Sequence, residues 1–236
     1  MKADLHIHTV LSPCGDIEMT PAAIIKSARQ AGVGIVGITD HNSMRHCREA
    51  KRAGEEEGVY VLCGAEITTR EEVHVLAFVD GEEAEAALQK YLDDNLPKIP
   101  NNPDIFGYQI VVDRNEEVVY EEEYLLISAI DKSLEQVEEF VHSLGGIFIP
   151  AHIDKMQNSL LSQLGFVPPH LNVEALEVSP RCDLEEFIGQ NSYLKKYRFT
   201  RSSDAHYPEE LWRSCIDLDV EEPSFEAIKN AILSLK

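Results

Sequence analysis

Short apolar runs rich in β-branched residues recur along this chain with helical patterns between them, and that alternation restricts the fold more than any other feature. The runs are Ala3–Thr9, Gly34–His41, Val59–Thr69, Val73–Val79, Ile147–Ile153, Ala175–Pro180 and Arg198–His206. Helices are expected in most of the gaps. Thr20-Pro21 reads as an N-cap followed by proline at the first helical position, with Gly32 as the stop. Asn42 and Ser43 are expected to cap a second helix that ends near Gly58, and a third runs from about Glu82 to Asn95. Ser133 and Gln136 form a capping box for a fourth, closed by Gly145. Asp183–Leu194 and Ser224–Leu235 are expected to be helical too. Strands that alternate with helices predict βα units and a parallel sheet. About seven such units favour a barrel over an open sheet.

The rhythm breaks once. Positions 96–124 begin with the breaker-rich "LPKIPNNPD", and "YQIVVDRNEEVVYEEEY" then predicts two short strands around a turn at Asp113–Glu116. This reads as a hairpin-like insertion in a single domain covering 1–236.

Composition sets limits on partners. Hydrophobic residues make up 44% of the 236 residues, enough for a substantial core. No apolar run approaches the roughly 20 residues of a membrane span, and the first residues run straight into a strand pattern, so a cytoplasmic protein is expected. The net charge of −21 repels polyanions, and no basic stripe is visible. Nucleic acid is therefore not expected as a partner. The five cysteines show no C-x-x-C spacing, which argues for free thiols over a disulfide framework.

Histidine placement carries the chemistry. His6 and His8 are two apart at the end of the first run, so their side chains share a face. Asp204 and His206 repeat that spacing at the end of the last run. In a closed barrel the first and last strands meet, and the four groups converge. Asp40 and His41 end the second run, Glu66 lies in the third, His74 opens the fourth, His152 ends the fifth and Glu177 lies in the sixth. Six of the nine histidines thus fall at strand ends. An N/O donor set of this kind suits Zn, Mn or Fe and exceeds what one ion needs. Asp40 is expected to orient the imidazole of the neighbouring His41, and Glu177 to support the site from behind. His46, His142 and His170 fall in helix or loop patterns and read as surface residues.

The motifs "DLHIHT", "ITDHNS", "GAEIT", "HVL", "PAHI" and "SSDAH", in that order from Ala3 to His206, resemble the polymerase and histidinol phosphatase (PHP) family of metal-dependent phosphoesterases. The resemblance implies a distorted (β/α)7 barrel with two or three divalent ions at its C-terminal face. It assigns His6, His8, Glu66 and Asp204 to a first ion, and Glu66, His74 and His152 to a second, with Glu66 bridging. His41 and His206 fall to a third, completed from the loop "VLSPCGDIEMT", where Asp16 offers a hard oxygen and Cys14 is the rival. The sequence departs from the family at His152, which follows Pro150 by two residues where a proline after the histidine is common.

Two such ions about 3.5–4 Å apart hold a hydroxide at neutral pH that attacks phosphorus. His6, His8, Glu66, His152, Asp204 and His206 would thus act through the ions. Lys155, Arg181 and Arg201 are the candidate partners of the substrate phosphate. The leading expectation is a hydrolase of a small phosphomonoester, such as a nucleotide or sugar phosphate. Alternatives are a phosphodiesterase or exonuclease, and a metal-binding regulatory module without turnover.

Overall fold

The computed structural model describes residues 1–235. The strands are β1 (Lys2–Ile7), β2 (Ile35–Ile38), β3 (Tyr60–Thr68), β4 (His74–Phe78), β5 (Ile110–Val112), β6 (Val118–Glu121), β7 (Ile147–Pro150), β8 (Leu176–Val178), β9 (Phe199–Arg201) and β10 (Ile216–Asp217). The helices are α1 (Pro21–Ala31), α2 (Cys47–Glu57), α3 (Glu82–Asn95), α4 (Pro103–Phe106), α5 (Leu134–Ser143), α6 (Leu160–Leu164), α7 (Leu184–Gln190) and α8 (Phe225–Leu233). Among the described residues, no helix is long and apolar enough to cross a membrane.

Six strands form one curled sheet in the order β10-β1-β2-β3-β4-β7, and β8 and β9 form a separate parallel pair. Single backbone contacts join that pair to the sheet's two flanks. Ile153 N donates to Glu177 O at 2.8 Å beyond β7, and His8 N donates to Ala205 O at 3.0 Å beyond β9. The chain's first and last site-bearing segments therefore do meet.

The fully parallel sheet expected from the alternation is not what forms. β1, β2 and β3 are parallel, but β4 runs antiparallel to both β3 and β7, and β10 runs antiparallel to β1. The reason is connection length. Only Thr69–Val73 lies between β3 and β4, and a parallel crossover needs a dozen residues or more. The architecture is a mixed, curled half-barrel sheet, which meets the expectation of a distorted (β/α)7 barrel only in part.

Side-chain alternation sorts the sheet's two faces. Val36, Val61, Val75 and Ala77 pack against α1, α2, α3 and α5 on the outer face. On the inner face, Ala3, Leu5, Ile35, Leu62, Leu76 and Ile149 pack against Phe225, Ile228 and Ile232 of α8. Helix α8 thus closes the lower end of the curl with apolar side chains. With a period of two, the inner face continues from Ile35 to His41, from Leu62 to Glu66 and from Leu76 to His74.

β1 needs a further device. Leu5 is inner, so plain alternation would send Ile7 inward and leave His6 and His8 outside. The β1–β2 register shifts between Asp4 and Ile7. Past that bulge Ile7 joins the outer cluster, and His6 and His8 turn inward. A bulge that re-aims a side chain beside a site is a recurrent use of that irregularity.

Local signals decide most helix ends. Thr20 accepts from Ala23 N at 3.2 Å, and Gly32 takes the left-handed conformation, φ 68°, that ends α1. The capping box of Ser133 and Gln136 is formed. The expected Asn42/Ser43 cap is not: α2 starts at Cys47, and its N-cap residue, His46, makes no side-chain cap. Asn42 instead sits at φ 45°. Its Nδ2 donates to Leu126 O at 2.6 Å and Ser128 O at 2.9 Å, and its Oδ1 accepts from Thr68 N at 3.2 Å. The residue ties the end of β2 to β3 and to the segment before α5.

The insertion forms the expected hairpin, β5–β6, with Glu116 at φ 62° in its turn. Ile110 and Val112 pack on Val10 of the loop after β1. Gly107 touches the same loop so closely that a Cβ there would lie 2.1 Å from Pro13 O.

Asn42→Ala is expected to lower unfolding stability by about 1–3 kcal/mol, because it strands buried carbonyls and an N–H. Chemical denaturation with an unchanged m-value would measure it.

Candidate metal centre

Glu66 on β3 lies at the middle of the upper inner face and is 1% exposed. Its Oε1 is 3.4 Å from His6 Nε2 and its Oε2 is 3.3 Å from His8 Nε2. Asp204 Oδ1 lies 3.4 Å from His6 Nε2 and 3.6 Å from His8 Nε2, and the two imidazole nitrogens are 3.1 Å apart. A tetrahedral ion with ligand bonds of about 2.0–2.1 Å has donor–donor edges of about 3.3 Å. His6, His8 and Glu66 can offer donor atoms to one such ion, with Asp204 beside the two imidazoles.

The same glutamate reaches a second group. Oε1 is 2.8 Å from His74 Nδ1 and 3.1 Å from His152 Nε2, and Oε2 is 3.1 Å from His41 Nδ1. His74 can open its strand and still sit here because β4 is reversed: its first residue lies level with the last residues of β2 and β3. A third group brings His8, His41 and His206 together, with the His8 and His206 rings stacked at 4.0 Å. The buried Nδ1 of His41 has no hydrogen-bond partner, as suits an atom that donates its lone pair to a cation. The donor set fits divalent ions.

His152 and Asp204 both have left-handed backbone, φ 31° and φ 53°. Such conformations cost on the order of 1–3 kcal/mol and persist where surrounding contacts over-determine them.

A hydrogen-bonded layer holds the histidines. Glu177 Oε2 lies 2.9 Å from His6 Nδ1 and accepts from His152 N at 3.1 Å, so its expected supporting position is found. Asp40 is also in place, but it steadies His8. Its Oδ1 accepts from Ser12 Oγ at 2.7 Å, and that hydroxyl lies 2.9 Å from His8 Nδ1. Ser12 is a residue the sequence reading missed; its only signal is a hydroxyl four positions after His8.

Electrostatics follow from burial against local charge. Burial alone would raise the Glu66 carboxyl, but His74, His6 and His41 hold it well below the usual range. Burial likewise opposes the Asp204 charge, and His6 and His8 overcome it. Burial would lower His6, yet Glu177, Asp204 and Glu66 together raise it well above its usual value. His8 is raised against burial by Asp204 and Glu66. His206 goes the other way, lowered to about 4 by burial and by the neighbouring His8 charge.

The open side of the cleft is lined by His41, His74, His152, Lys155, Gln157, Asn158 and His206. Gln157 and Asn158 had no signal in the sequence. Lys155 is there, as expected, but its ammonium is paired with Asp204. Arg201 is not available to a substrate. Its guanidinium donates to the carbonyls of Ser179, Pro180 and Cys182 at 3.3, 3.0 and 2.7 Å, clamping the turn after β8. Arg181 is exposed and does not line the cleft. Asp16 does not join the third group: its Oδ1 accepts from Glu18 N at 2.8 Å within its own turn. The Cys14 thiol is pushed up to about 12 by desolvation and by the Glu66 charge. Two surface expectations also fail. His46 is fully buried, and His142 bridges Glu138 and Glu174. His170 is exposed as expected.

A PHP domain model matches residues 4–162. This chain belongs to the PHP domain family. Members of that family are metal-dependent phosphoesterases, and the convergence of buried histidines and carboxylates just described is in keeping with it. A 5′-3′ exoribonuclease of Haemophilus influenzae is 31% identical over 78 residues, 32% of this chain and 27% of that one. The lesion-specific endonuclease PfuEndoQ of Pyrococcus furiosus has a TM-score of 0.74 at 18% identity, covering 100% of this chain and 56% of that one. An Endonuclease Q complex with a 27-mer duplex, an abasic lesion at its active site, has a TM-score of 0.70 at 19% identity, over 98% of this chain and 56% of that one. At these identities the likeness to the solved structures is one of fold. The chain spans less than half the length of the curated relatives it matches.

These structures overturn the exclusion of nucleic acid. Endonuclease Q, whose fold this chain matches over 56% of that protein's length, forms a complex with a 27-mer duplex, so nucleic acid is plausible as a substrate. Net charge sums the whole surface, whereas a phosphodiester meets only the cleft and the cations held there.

His6 and His8 carry raised pKa values without a metal, and a divalent ion needs their lone pairs. Metal uptake near neutral pH is therefore expected to release protons, and affinity to rise with pH through the His6 and His8 titrations. Calorimetry in two buffers of different ionisation enthalpy checks this; buffer-independent heats would refute it.

Proposed function

We propose that this chain is a metal-dependent phosphodiesterase that cleaves nucleic acid. The observation that carries the proposal is the likeness to Endonuclease Q over the whole chain, together with a cluster of mostly buried histidine and carboxylate donors at the sheet's upper end. The expectation of a small phosphomonoester gives way for a physical reason as well. A monoester's terminal phosphate carries close to two charges at neutral pH and calls for dedicated cations. The three offered by the sequence are paired with Asp204, clamped to carbonyls or turned to solvent. A diester carries one charge and needs less.

His6, His8, Glu66 and Asp204 would hold one ion; Glu66, His74 and His152 a second, with Glu66 shared; His41 and His206, with His8 beside them, a third. Bound divalent ions supply Lewis-acid polarisation of the phosphoryl group and lower the pKa of water. The chain's own residues do the rest. Glu177 and Ser12 orient the His6 and His8 rings. His206, with its pKa near 4, stays neutral at pH 7 and keeps a lone pair available. Lys155 balances the Asp204 charge at the cleft, and the Gln157 and Asn158 amides can donate to phosphate oxygens without adding charge.

The test uses end-labelled single-stranded DNA, duplex DNA and duplex DNA with an abasic site, each with Mn²⁺, alongside p-nitrophenyl phosphate. Strand cleavage is expected, with little monoester turnover. Asp204→Asn is expected to reduce cleavage by about 10²-fold or more. Rapid monoester hydrolysis with intact DNA would return the case to a small-molecule phosphatase.

A further inference from the structure

His46 belongs to none of the three donor groups, yet it is fully buried beside them at the start of α2. Its Nε2 lies 2.9 Å from the backbone nitrogen of Val112 in the inserted hairpin. A backbone N–H can only donate, so Nε2 accepts, and the proton of the neutral ring sits on Nδ1. Burial lowers the pKa of His46, in keeping with a neutral ring.

The polarity of each next bond then follows. His46 Nδ1 lies 2.5 Å from Thr9 Oγ1 and donates to it. The Thr9 hydroxyl spends its proton on Asp40 Oδ2 at 2.7 Å. Asp40 Oδ1 accepts from Thr9 N and from Ser12 Oγ, both at 2.7 Å. With its proton committed to Asp40, Ser12 Oγ can only accept from His8 Nδ1 at 2.9 Å. That places the His8 proton on Nδ1 and leaves the Nε2 lone pair facing Glu66 and Asp204. Asp40 accepts from both hydroxyls, so its carboxylate sets the Thr9, Ser12 and His8 polarities; what the Val112 N–H adds is a fixed seat for His46 at the far end of four continuous links to the His8 ring.

We infer that the inserted hairpin, through His46, Thr9, Asp40 and Ser12, holds the ring orientation of His8, so that His46 is a positioning residue for metal binding. The inference rests on the metal-centre reading under the proposed function. It adds that the insertion is wired to the centre. Linkage is reciprocal, so ion binding should tighten the hairpin's hold on His46 as much as the hairpin tightens ion binding.

The test compares wild type with His46→Phe, which keeps ring volume but loses both bonds, and with His46→Gln, which keeps an acceptor and a donor. Loss of outer hydrogen-bond partners lowers metal affinity by roughly 10–100-fold. His46→Phe is expected to weaken Zn²⁺ binding by about tenfold, and His46→Gln to recover most of it. Two readouts go beyond structure and activity. In metal-free protein at alkaline pH, the His8 ring ¹⁵N resonances should be sharp in wild type and broadened in His46→Phe, as the Ser12 anchor of the ring loosens. In wild type, hydrogen exchange at the Val112 amide should slow when Zn²⁺ binds.

A folded His46→Phe with unchanged Zn²⁺ affinity and unchanged His8 ring resonances overturns the inference. If His46→Phe does not fold, the Val112 amide decides: no slowing on Zn²⁺ binding overturns it. A wild type that takes up no divalent ion would sink the metal reading instead, while the His8 ring resonances would still judge the positioning.

Discussion

A carboxylate buried as deeply as Glu66 is tolerable only among positive partners, and the upper half of this structure is arranged to meet that demand. Five histidine rings reach its two oxygens from four other segments of the chain. Each segment solves a different geometric problem to get there. β1 bulges so that His6 and His8 turn inward, β4 reverses so that its first residue arrives level with its neighbours' last ones, and His152 and Asp204 adopt strained backbone. The lower half has no such constraint, and α8 fills it with apolar side chains.

The charge of the molecule and the charge of the site are separate matters. The chain as a whole carries −21, most of it in solvated acids on helices and on the hairpin. At the cleft, Glu66 and Asp204 are already balanced by histidines and Lys155 before any ion enters. What a substrate meets there is set by those few groups and by whatever cations they hold, so total charge is no ground for excluding a polyanion.

Much of the site was legible because strand periodicity places alternate residues on one face. The pairs His6/His8 and Asp204/His206, and the positions of His41, Glu66 and His152, follow from that rule alone. The helix ends at Gly32 and Gly58 and the capping box at Ser133 were legible for equally local reasons. What stayed hidden depends on contacts distant in sequence. His46 looked like a surface residue because its partners, Thr9 and Val112, are far from it along the chain. Arg201 looked like a phosphate ligand because nothing local reveals three carbonyls waiting for it. The Asn42 tether reads as a helix cap for the same reason. The reversal of β4 is different: the three residues between its run and the preceding one were visible and too few for a crossover.

That short turn also bears on how the centre comes together in time. Glu66 and His74 are eight residues apart and meet through one tight hairpin, a loop that closes at little entropic cost. His6 and Asp204 are nearly two hundred residues apart, and their encounter waits until almost the whole chain has been gathered. Contacts of high sequence separation form late in folding. One flank of the centre is therefore assembled early and locally, and the other last. A chain interrupted between His152 and Asp204 would keep the Glu66, His74 and His152 cluster and lack the carboxylate that faces His6 and His8, so the complete cluster requires the chain to have folded at least as far as Asp204.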